Sequence, residues 1–276
     1  RIQKVLEKEE LIRTPIVARM TEYNNMVRYH IQKRESQKEE ARVIFQWENF
    51  GEEYTCDFQF DVHKGECLVL QILDARAMKE LREILTGDVL PECGRILLNG
   101  KRTKFAGNIR IAVVQERTTH TMIFRELDYM NNLCMGLGEK VPSIWHNKKL
   151  RNSIRKEYSS ALGEEVFDMP VEELSKKQKY QLVYTRILLQ KPEILFCIQP
   201  FSGADLEHRM YVWSMLEQFL DKGIPVVILS LNLSDSLAMA DRLLILGENG
   251  EKQEIQREDF PTITSPVPWI RPYSDL

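Results

Sequence analysis

The sequence has no apolar stretch that approaches the roughly 20 residues needed to span a bilayer, and its first residues, RIQKVLEKEEL, are too charged for a secretory signal peptide. We therefore expect a cytosolic or cytosol-facing chain. Cysteine is also scarce and odd in number, without a CxxC pair, which indicates neither a disulfide framework nor a zinc knuckle. We expect reduced, mostly buried thiols at all five positions: Cys56, Cys67, Cys93, Cys134 and Cys197.

The sequence likewise has no surplus of basic residues. Its 38 Lys and Arg residues against 41 Asp and Glu give a net charge of −3, and no concentrated basic face is evident. This balance argues against nucleic acid or an anionic membrane as the main partner. With 43% hydrophobic residues in a chain of 276, the composition is that of a globular protein with one large domain and an appendage, or two small domains.

Hydrophobic periodicity divides the chain. Residues 1–42 are highly charged with helical spacing and are expected to form a helical linker. From residue 43 onward, near-solid apolar runs such as CLVLQIL and PVVILSL alternate with helical patterns. Such runs are typical of strands buried on both faces, so the fold class is predicted to be α/β with a parallel sheet. Helices are predicted over about 124–162, 174–190, 205–222 and 234–240.

The turn after the first buried strand has no glycine. Ligands in a parallel sheet bind beyond the carboxyl ends of the strands, and this turn is the usual phosphate cradle. A working cradle needs glycines, a Lys for the phosphates and a Ser or Thr for Mg²⁺. Residues 71–79 read QILDARAMK instead.

Three blocks of sequence resemble an ABC-transporter ATPase domain, and more narrowly the second of the two fused ATPase halves of bacterial ribose/galactose-type sugar importers. The blocks are GEC before the first buried strand, LSKKQKYQLVYTRILLQKPEILFCIQPFSGAD, and VVILSLNLSDSLAMADRLLIL. The resemblance covers residues 43–257 and implies a parallel core sheet, an antiparallel β-subdomain near 43–64 and 94–114, and a helical subdomain near 120–180. Residues 258–276 form a Pro-rich tail.

The resemblance also places the family's catalytic positions on residues that cannot perform their roles. The glycine positions of the phosphate loop fall on Ile72, Ala75 and Ala77, its Lys on Met78, and its Ser or Thr on Lys79. Non-Gly residues there either strain a positive φ or push a Cβ atom toward the phosphates. The metal-binding Asp position is Ile198, the general-base Glu position is Gln199, and the switch position is Leu231, with Asn232 beside it. Ile has no ligand atom, and Gln does not accept a proton as a carboxylate does.

Some family contacts keep a plausible residue, each with a structural alternative. Ser175 stands where the family's signature helix begins and would complete a partner's nucleotide site, followed by Lys176, Lys177 and Gln178; it would otherwise be a plain helix cap. Asp205 stands at the family's dimer-contact loop. Phe50 stands near the aromatic residue that stacks on adenine, or it is a core aromatic.

The residues that shape turns and the ends of helices and strands are retained, whereas those of the phosphate loop, the metal site, the general base and the switch are replaced. We therefore expect the chain to keep the fold but neither to hydrolyse ATP nor to bind it tightly. No cofactor is expected, although competent relatives use ATP and Mg²⁺. The implied role is a structural half of a carbohydrate importer, at the inner face of the cell membrane. It would pair head-to-tail with a competent ATPase domain and dock on a permease through residues 116–133.

Two other interpretations stay open. The first is a regulatory or scaffold protein outside transport, which binds another protein through the former nucleotide face. The second is an active enzyme with a shifted phosphate and metal site built from Asp74, Lys79 and Glu116.

Overall fold

The computed structural model describes residues 22, 23, 25, 26, 42–137, 144–231, 233, 235–248 and 250–262. Most of the predicted linker and most of the predicted tail lie outside the described residues, as does Asn232. None of the helices in the described ranges combines the length and apolar character that a membrane-spanning helix requires.

The described residues contain strands and helices in alternation, as predicted for an α/β fold. The strands are β1 (Val43–Gly51), β2 (Gln59–His63), β3 (Cys67–Ile72), β4 (Cys93–Leu98), β5 (Lys101–Thr103), β6 (Ile111–Val114), β7 (Ile194–Ile198), β8 (Val226–Ser230), β9 (Arg242–Leu246) and β10 (Lys252–Gln256). The α-helices are α1 (Ala75–Thr86), α2 (Thr118–Thr121), α3 (Tyr129–Cys134), α4 (Ile144–Leu162), α5 (Lys176–Gln190) and α6 (Leu206–Asp221).

The strands form two sheets. The central sheet has the order β10-β9-β3-β8-β7-β6, and all its neighbouring pairs are parallel except β10 with β9. The second sheet, β2-β1-β4-β5, is antiparallel. Strands β3, β7 and β8 are buried along nearly their whole length, as their apolar runs indicate.

The central sheet separates two hydrophobic cores because side chains alternate between its faces. On one face, residues such as Val69, Cys197 and Ile228 pack with the helices α3 to α6. On the other face, Leu70, Phe196 and Val227 pack with α1 and with the aromatic side chains of the antiparallel sheet. The α1 helix therefore lies between the two sheets, and its first turn sits at the carboxyl end of β3.

Three predictions about secondary structure are wrong in detail. Strand β6 pairs in parallel with β7 and belongs to the central sheet, whereas the prediction places residues 94–114 in the antiparallel subdomain. The long helix over 124–162 is interrupted, because α3 ends before Gly136, which has a φ of 78°. Residues 235–239 form turns instead of a helix, because the hydrogen bond from the Leu237 N–H to the Leu233 carbonyl is followed by tighter i to i+3 bonds at Met239 and Ala240.

The expectation of five reduced thiols is also wrong. Cys56 and Cys93 form a disulfide bond, while Cys67, Cys134 and Cys197 take part in no disulfide bond among the described residues. The bridge forms because β1 pairs with β4 so that Gly51 lies opposite Cys93, and the loop after Gly51 returns Cys56 to the same place. A separation of 37 residues carries no sign of this proximity in the sequence.

Candidate functional site

The turn between β3 and α1 is where a phosphate cradle would lie, and Asp74 occupies its centre. Asp74 is the N-cap of α1, and its Oδ1 accepts hydrogen bonds from the backbone N–H groups of Arg76 (2.8 Å) and Ala77 (3.4 Å). These N–H groups, with the positive end of the helix dipole, are what a helix N-terminus offers to an anion. The carboxylate of Asp74 therefore holds the place that a phosphate would need.

Arg76 secures that carboxylate from the other side. Its Nη2 lies 3.1 Å from Oδ2 of Asp74, and its guanidinium carbon lies 4.6 Å from the centre of the Tyr54 ring. Hydrogen bonds from the Arg76 side chain and backbone lower the pKa of the Asp74 carboxyl below its ordinary value. Asp74 is thus ionised at neutral pH, and the guanidinium of Arg76 is already paired with it.

The positions predicted to replace the phosphate-loop glycines form an ordinary strand end and helix start. In residues 72–79 no φ is positive, so the turn uses no conformation that requires glycine. Met78, at the family's Lys position, is apolar and buried. Lys79, at the family's Ser or Thr position, has an exposed ammonium group whose Nζ lies 3.8 Å from Oε1 of Glu83. Buried side chains here are Ile72, Ala77 and Met78, while Ala75 and Lys79 are exposed.

Glu80 connects α1 to the loop that follows β1. It is 6% exposed, and its carboxylate accepts hydrogen bonds from the N–H groups of Glu52 (2.7 Å) and Tyr54 (2.9 Å) and from the hydroxyl of Thr55. Gly51 permits this loop, because a Cβ atom there would lie 1.8 Å from Oγ1 of Thr55. The loop is therefore fixed against the first half of α1, with Tyr54 over Arg76.

The end of β7 has no metal-binding side chain, because the family's metal-binding Asp position is occupied by Ile198. The Ile198 side chain is buried in the core, and the following residue, Gln199, adopts a φ of 45°. Its backbone N–H donates to the carbonyl of Leu229 at 2.9 Å. A left-handed conformation is uncommon for Gln and is held here by the turn that follows the strand.

Two exposed leucines follow adjacent strands at this edge of the sheet. Leu73 comes directly after β3 and is 45% exposed, and Leu231 comes directly after β8 and is 47% exposed. Strands β3 and β8 pair in parallel, and the Gln71 amide donates to the Leu231 carbonyl at 3.4 Å. The edge that would meet the phosphates of a nucleotide therefore presents apolar side chains.

The start of α5 uses Ser175 and Gln178 as a capping box. The Ser175 hydroxyl accepts from the Gln178 N–H at 3.3 Å, and Oε1 of Gln178 accepts from the Ser175 N–H at 2.8 Å. The two lysines that follow contact the neighbouring segment. Nζ of Lys176 donates to the carbonyl of Gly203 at 3.3 Å, and Nζ of Lys177 lies 5.3 Å from the ring centre of Tyr211.

Asp205 caps α6 in the loop next to the start of α5. Its Oδ1 accepts from the His208 N–H at 3.0 Å and lies 2.6 Å from Nδ1 of the same residue. These hydrogen bonds, above all the one from the backbone N–H of His208, lower the pKa of the Asp205 carboxyl.

Glu116, on the loop after β6, accepts a hydrogen bond from the Ser202 hydroxyl at 3.1 Å.

Phe50 lies at the end of β1 and is half-buried. Its ring packs edge-on against Trp47, with centroids 5.1 Å apart, and 6.5 Å from the ring of Phe105. The ring is thus part of the aromatic cluster between the two sheets.

The three residues of the predicted shifted site each contact a different partner: Asp74 pairs with Arg76, Lys79 with Glu83, and Glu116 with Ser202. Within the described ranges, no group of three or more His, Cys, Asp or Glu side chains is placed to hold a metal ion. The residues at this site do not fit Mg²⁺ and ATP, because the helix start already holds a carboxylate and Ile198 has no ligand atom.

Sequence reasoning did not identify the roles of Tyr54 and Glu80, and it considered Asp74 only as part of a shifted site. An Asp directly before an apolar helical pattern is a usual N-cap signal, so the role of Asp74 could have been found. Glu80 interrupts the buried face of α1 between Met78 and Leu81, and a carboxylate in that position indicates a buried acceptor. Nothing in the sequence indicates that Tyr54 packs on Arg76.

The comparison with solved structures decides the fold. CbiO1 from Clostridium perfringens, part of the ABC transporter complex cbiONQ, superposes with a TM-score of 0.61 over 79% of this chain and 90% of that one, at 18% identity. MJ1267, an ATP-binding cassette of an ABC transporter, gives a TM-score of 0.60 over 79% and 92%, at 20% identity. The chain has the ABC ATPase fold. The predicted fold is therefore confirmed.

The relatives found by sequence are sugar-import ABC ATP-binding proteins. A ribose/galactose/methyl galactoside import ATP-binding protein of Halalkalibacterium halodurans is 23% identical over 75% of this chain. The galactose/methyl galactoside import protein MglA of Clostridium tetani is 24% identical over 73%, and the ribose import protein RbsA of Oceanobacillus iheyensis is 21% identical over 87%. No family model matches the chain.

The matched part of this ABC ATPase fold corresponds to a fraction of each relative. The alignments cover 41%, 44% and 51% of the lengths of these three proteins, so the chain spans about half of the curated relatives that it matches.

Proposed function

We propose that the chain is a non-hydrolysing ABC ATPase-type subunit, or half-subunit, of a carbohydrate importer. It acts as the structural partner of a competent ATPase domain and of the permease, at the inner face of the cell membrane. The proposed organisation is a helical linker over 1–42, an ABC ATPase-like domain over 43–257 with a helical subdomain near 120–180, and a tail over 258–276.

The observation that carries this proposal is the carboxylate of Asp74 at the start of α1. A phosphate would have to displace an ionised side chain that accepts two backbone hydrogen bonds and pairs with Arg76. Like charges at the same position repel, so nucleotide and Asp74 exclude each other. The buried apolar side chain of Ile198 supports the same conclusion for the metal.

The role in transport is supported by the three relatives described above, which are import ATP-binding proteins by name. The exposure of residues at the start of α5 and α6 supports a partner contact there. Ser175 and Asp205 each cap a helix at the surface, and Lys176 connects the two segments through the carbonyl of Gly203. In the proposed head-to-tail pair these helix starts face the nucleotide site of the competent domain.

A mixed complex with the competent ATPase domain tests the pairing. Replacing Ser175 with Tyr places a bulky ring at the contact, and we expect the ATP turnover of the complex to fall. Ser214→Tyr is the matched control, because Ser214 is an exposed serine on α6 away from the helix start. Unchanged turnover with the Ser175→Tyr chain would refute the pairing.

A second candidate is a scaffold outside transport that binds a protein through the former nucleotide face. The exposed Leu73 and Leu231 at the carboxyl edge of β3 and β8 favour it. Association with a permease, measured by a pull-down from detergent-solubilised membranes, distinguishes the two candidates. A subunit of an importer should bind the permease, whereas a scaffold outside transport should not.

A further inference from the structure

The disulfide bond joins a surface loop to a neighbouring strand. Cys56 lies in residues 52–57, called here the β1 loop, and Cys93 is the first residue of β4. Both cysteines are half-buried, so a small molecule in solution reaches the bond. Disulfides that are open to solvent exchange with dissolved thiols more readily than buried structural ones. The position of this bond therefore suits reversible reduction.

Hydrogen bonds outside the disulfide also hold the two cysteines near each other. The Asn49 N–H donates to the Phe58 carbonyl at 3.0 Å and closes the base of the β1 loop, and the Glu92 N–H donates to the Gly51 carbonyl at 3.0 Å. The carboxylate of Glu80 accepts three further hydrogen bonds from the loop. Because none of these bonds uses a sulfur atom, the cysteines remain neighbours after reduction and the disulfide re-forms readily.

The surroundings of the Cys93 sulfur indicate which cysteine reacts first. Sγ of Cys93 lies 3.1 Å from the carbonyl oxygen of Asn49 and 3.1 Å from that of Gly51. Carbonyl oxygens accept a hydrogen bond from a thiol but repel a thiolate. In the reduced chain Cys93 therefore keeps its proton, and Cys56 supplies the attacking thiolate.

The β1 loop also places an aromatic ring at the start of α1. The ring of Tyr54 covers the guanidinium of Arg76, which pairs with Asp74, the N-cap of α1. Cys56 follows Tyr54 by two positions, so the disulfide restricts the segment that positions this ring. Once the bond is reduced, the loop loses this covalent restraint and opens more often.

We propose that Cys56 and Cys93 form a reversible redox site that reacts with glutathione-type thiols and disulfides, and that oxidation locks the β1 loop over the start of α1. In the first step of oxidation, the Cys56 thiolate attacks one sulfur of a glutathione-type disulfide. A mixed disulfide forms on Cys56, and one glutathione thiolate leaves.

In the second step, the Cys93 thiol gives its proton to water and attacks Sγ of Cys56. The Cys56–Cys93 bond forms, the mixed disulfide breaks, and the second glutathione thiolate leaves. The two protein thiols thus lose two electrons and two protons, and the glutathione-type disulfide is reduced to two thiols. Reduction of the protein disulfide follows the same steps in reverse.

Equilibration of the purified chain with defined ratios of reduced and oxidised glutathione, followed by alkylation and mass spectrometry of its peptides, tests the reaction. We expect Cys56 and Cys93 to change together in one two-electron transition, with an unchanged circular dichroism spectrum. Cys134 is the matched control, because it is also half-buried but burial raises the pKa of its thiol, and it should form no mixed disulfide. A bond that survives excess reduced glutathione, or that opens only when the chain unfolds, would overturn the proposal.

Single-cysteine variants test the order of the steps. Cys93→Ser should form a mixed disulfide with oxidised glutathione about tenfold faster than Cys56→Ser, because only the former keeps the cysteine that ionises freely. Both variants lack the bridge, so its loss does not separate them. Equal rates would show that the assigned order of attack is wrong.

Hydrogen exchange tests the lock on the loop. The Tyr54 amide should exchange about tenfold or more faster in the reduced chain than in the oxidised chain. In the double variant, Cys56→Ser with Cys93→Ser, it should exchange at the fast rate at every glutathione ratio. Exchange at Tyr54 that does not respond to reduction would refute the lock.

Discussion

Removing the carboxylate of Glu80 should release the loop after β1 from α1. In Glu80→Ala, three hydrogen bonds are lost, from the N–H groups of Glu52 and Tyr54 and from the hydroxyl of Thr55. Hydrogen bonds to a charged acceptor contribute about 1.5–3 kcal/mol each. The loop is partly exposed, so water replaces much of the hydrogen bonding of the Glu52 and Tyr54 N–H groups. The hydroxyl of Thr55 is in a fully buried residue, so water does not replace its lost hydrogen bond. We expect the free energy of unfolding to fall by about 3 kcal/mol.

Glu80→Gln should cost less, about 1–2 kcal/mol, because the amide keeps one acceptor oxygen but turns its NH₂ toward an N–H donor. Lys79→Ala is the control on the same helix. Its side chain is 67% exposed, and such a substitution changes stability within about 0.5 kcal/mol.

Urea denaturation with linear extrapolation measures these differences. Hydrogen exchange provides a local readout, since the amides of Glu52 and Tyr54 should lose protection in Glu80→Ala. If Glu80→Ala unfolds at the same urea concentration as Lys79→Ala, the carboxylate does not hold the loop, and this account of the β1 loop is refuted.

Two further predictions concern the disulfide and the cap of α6. Cys93→Ser should lower the free energy of unfolding by about 2–4 kcal/mol through the lost bridge to Cys56, and a stability unaffected by dithiothreitol would contradict this. Because its pKa is lowered in the folded state, Asp205 stabilises the protein above its ordinary pKa, and this contribution is lost as the pH falls through the lowered value. Asp205→Asn should therefore be less stable at pH 7 and approach the unmodified chain once the pH falls below the lowered pKa of Asp205. Thermal unfolding against pH measures the difference, and parallel curves would refute it.

The fold could be predicted largely from the sequence because the buried strands are continuous apolar runs. CLVLQIL, EILFCIQP and PVVILSL contain β3, β7 and β8, which lie side by side in the central sheet. The assignment of β6 failed for a physical reason. Its four residues suit either sheet, and only the pairing of Ile111 with Ile194 decides between them.

The candidate site could be predicted only in part. The replaced glycines and the apolar Ile198 are visible in the sequence, since they depend on residue type alone. The pairing of Arg76 with Tyr54 and the contact of Glu80 with the β1 loop depend on residues brought together by the fold. The Cys56–Cys93 bridge has the same origin.

Calorimetric titration of the purified chain with ATP and Mg²⁺ shows whether this ABC ATPase fold binds nucleotide. ADP and a metal-free titration serve as controls. We predict no heat of binding and no thermal shift at millimolar nucleotide, because the Asp74 carboxylate already accepts the hydrogen bonds of the α1 N-terminus. Mg²⁺-dependent binding of ATP would contradict this prediction.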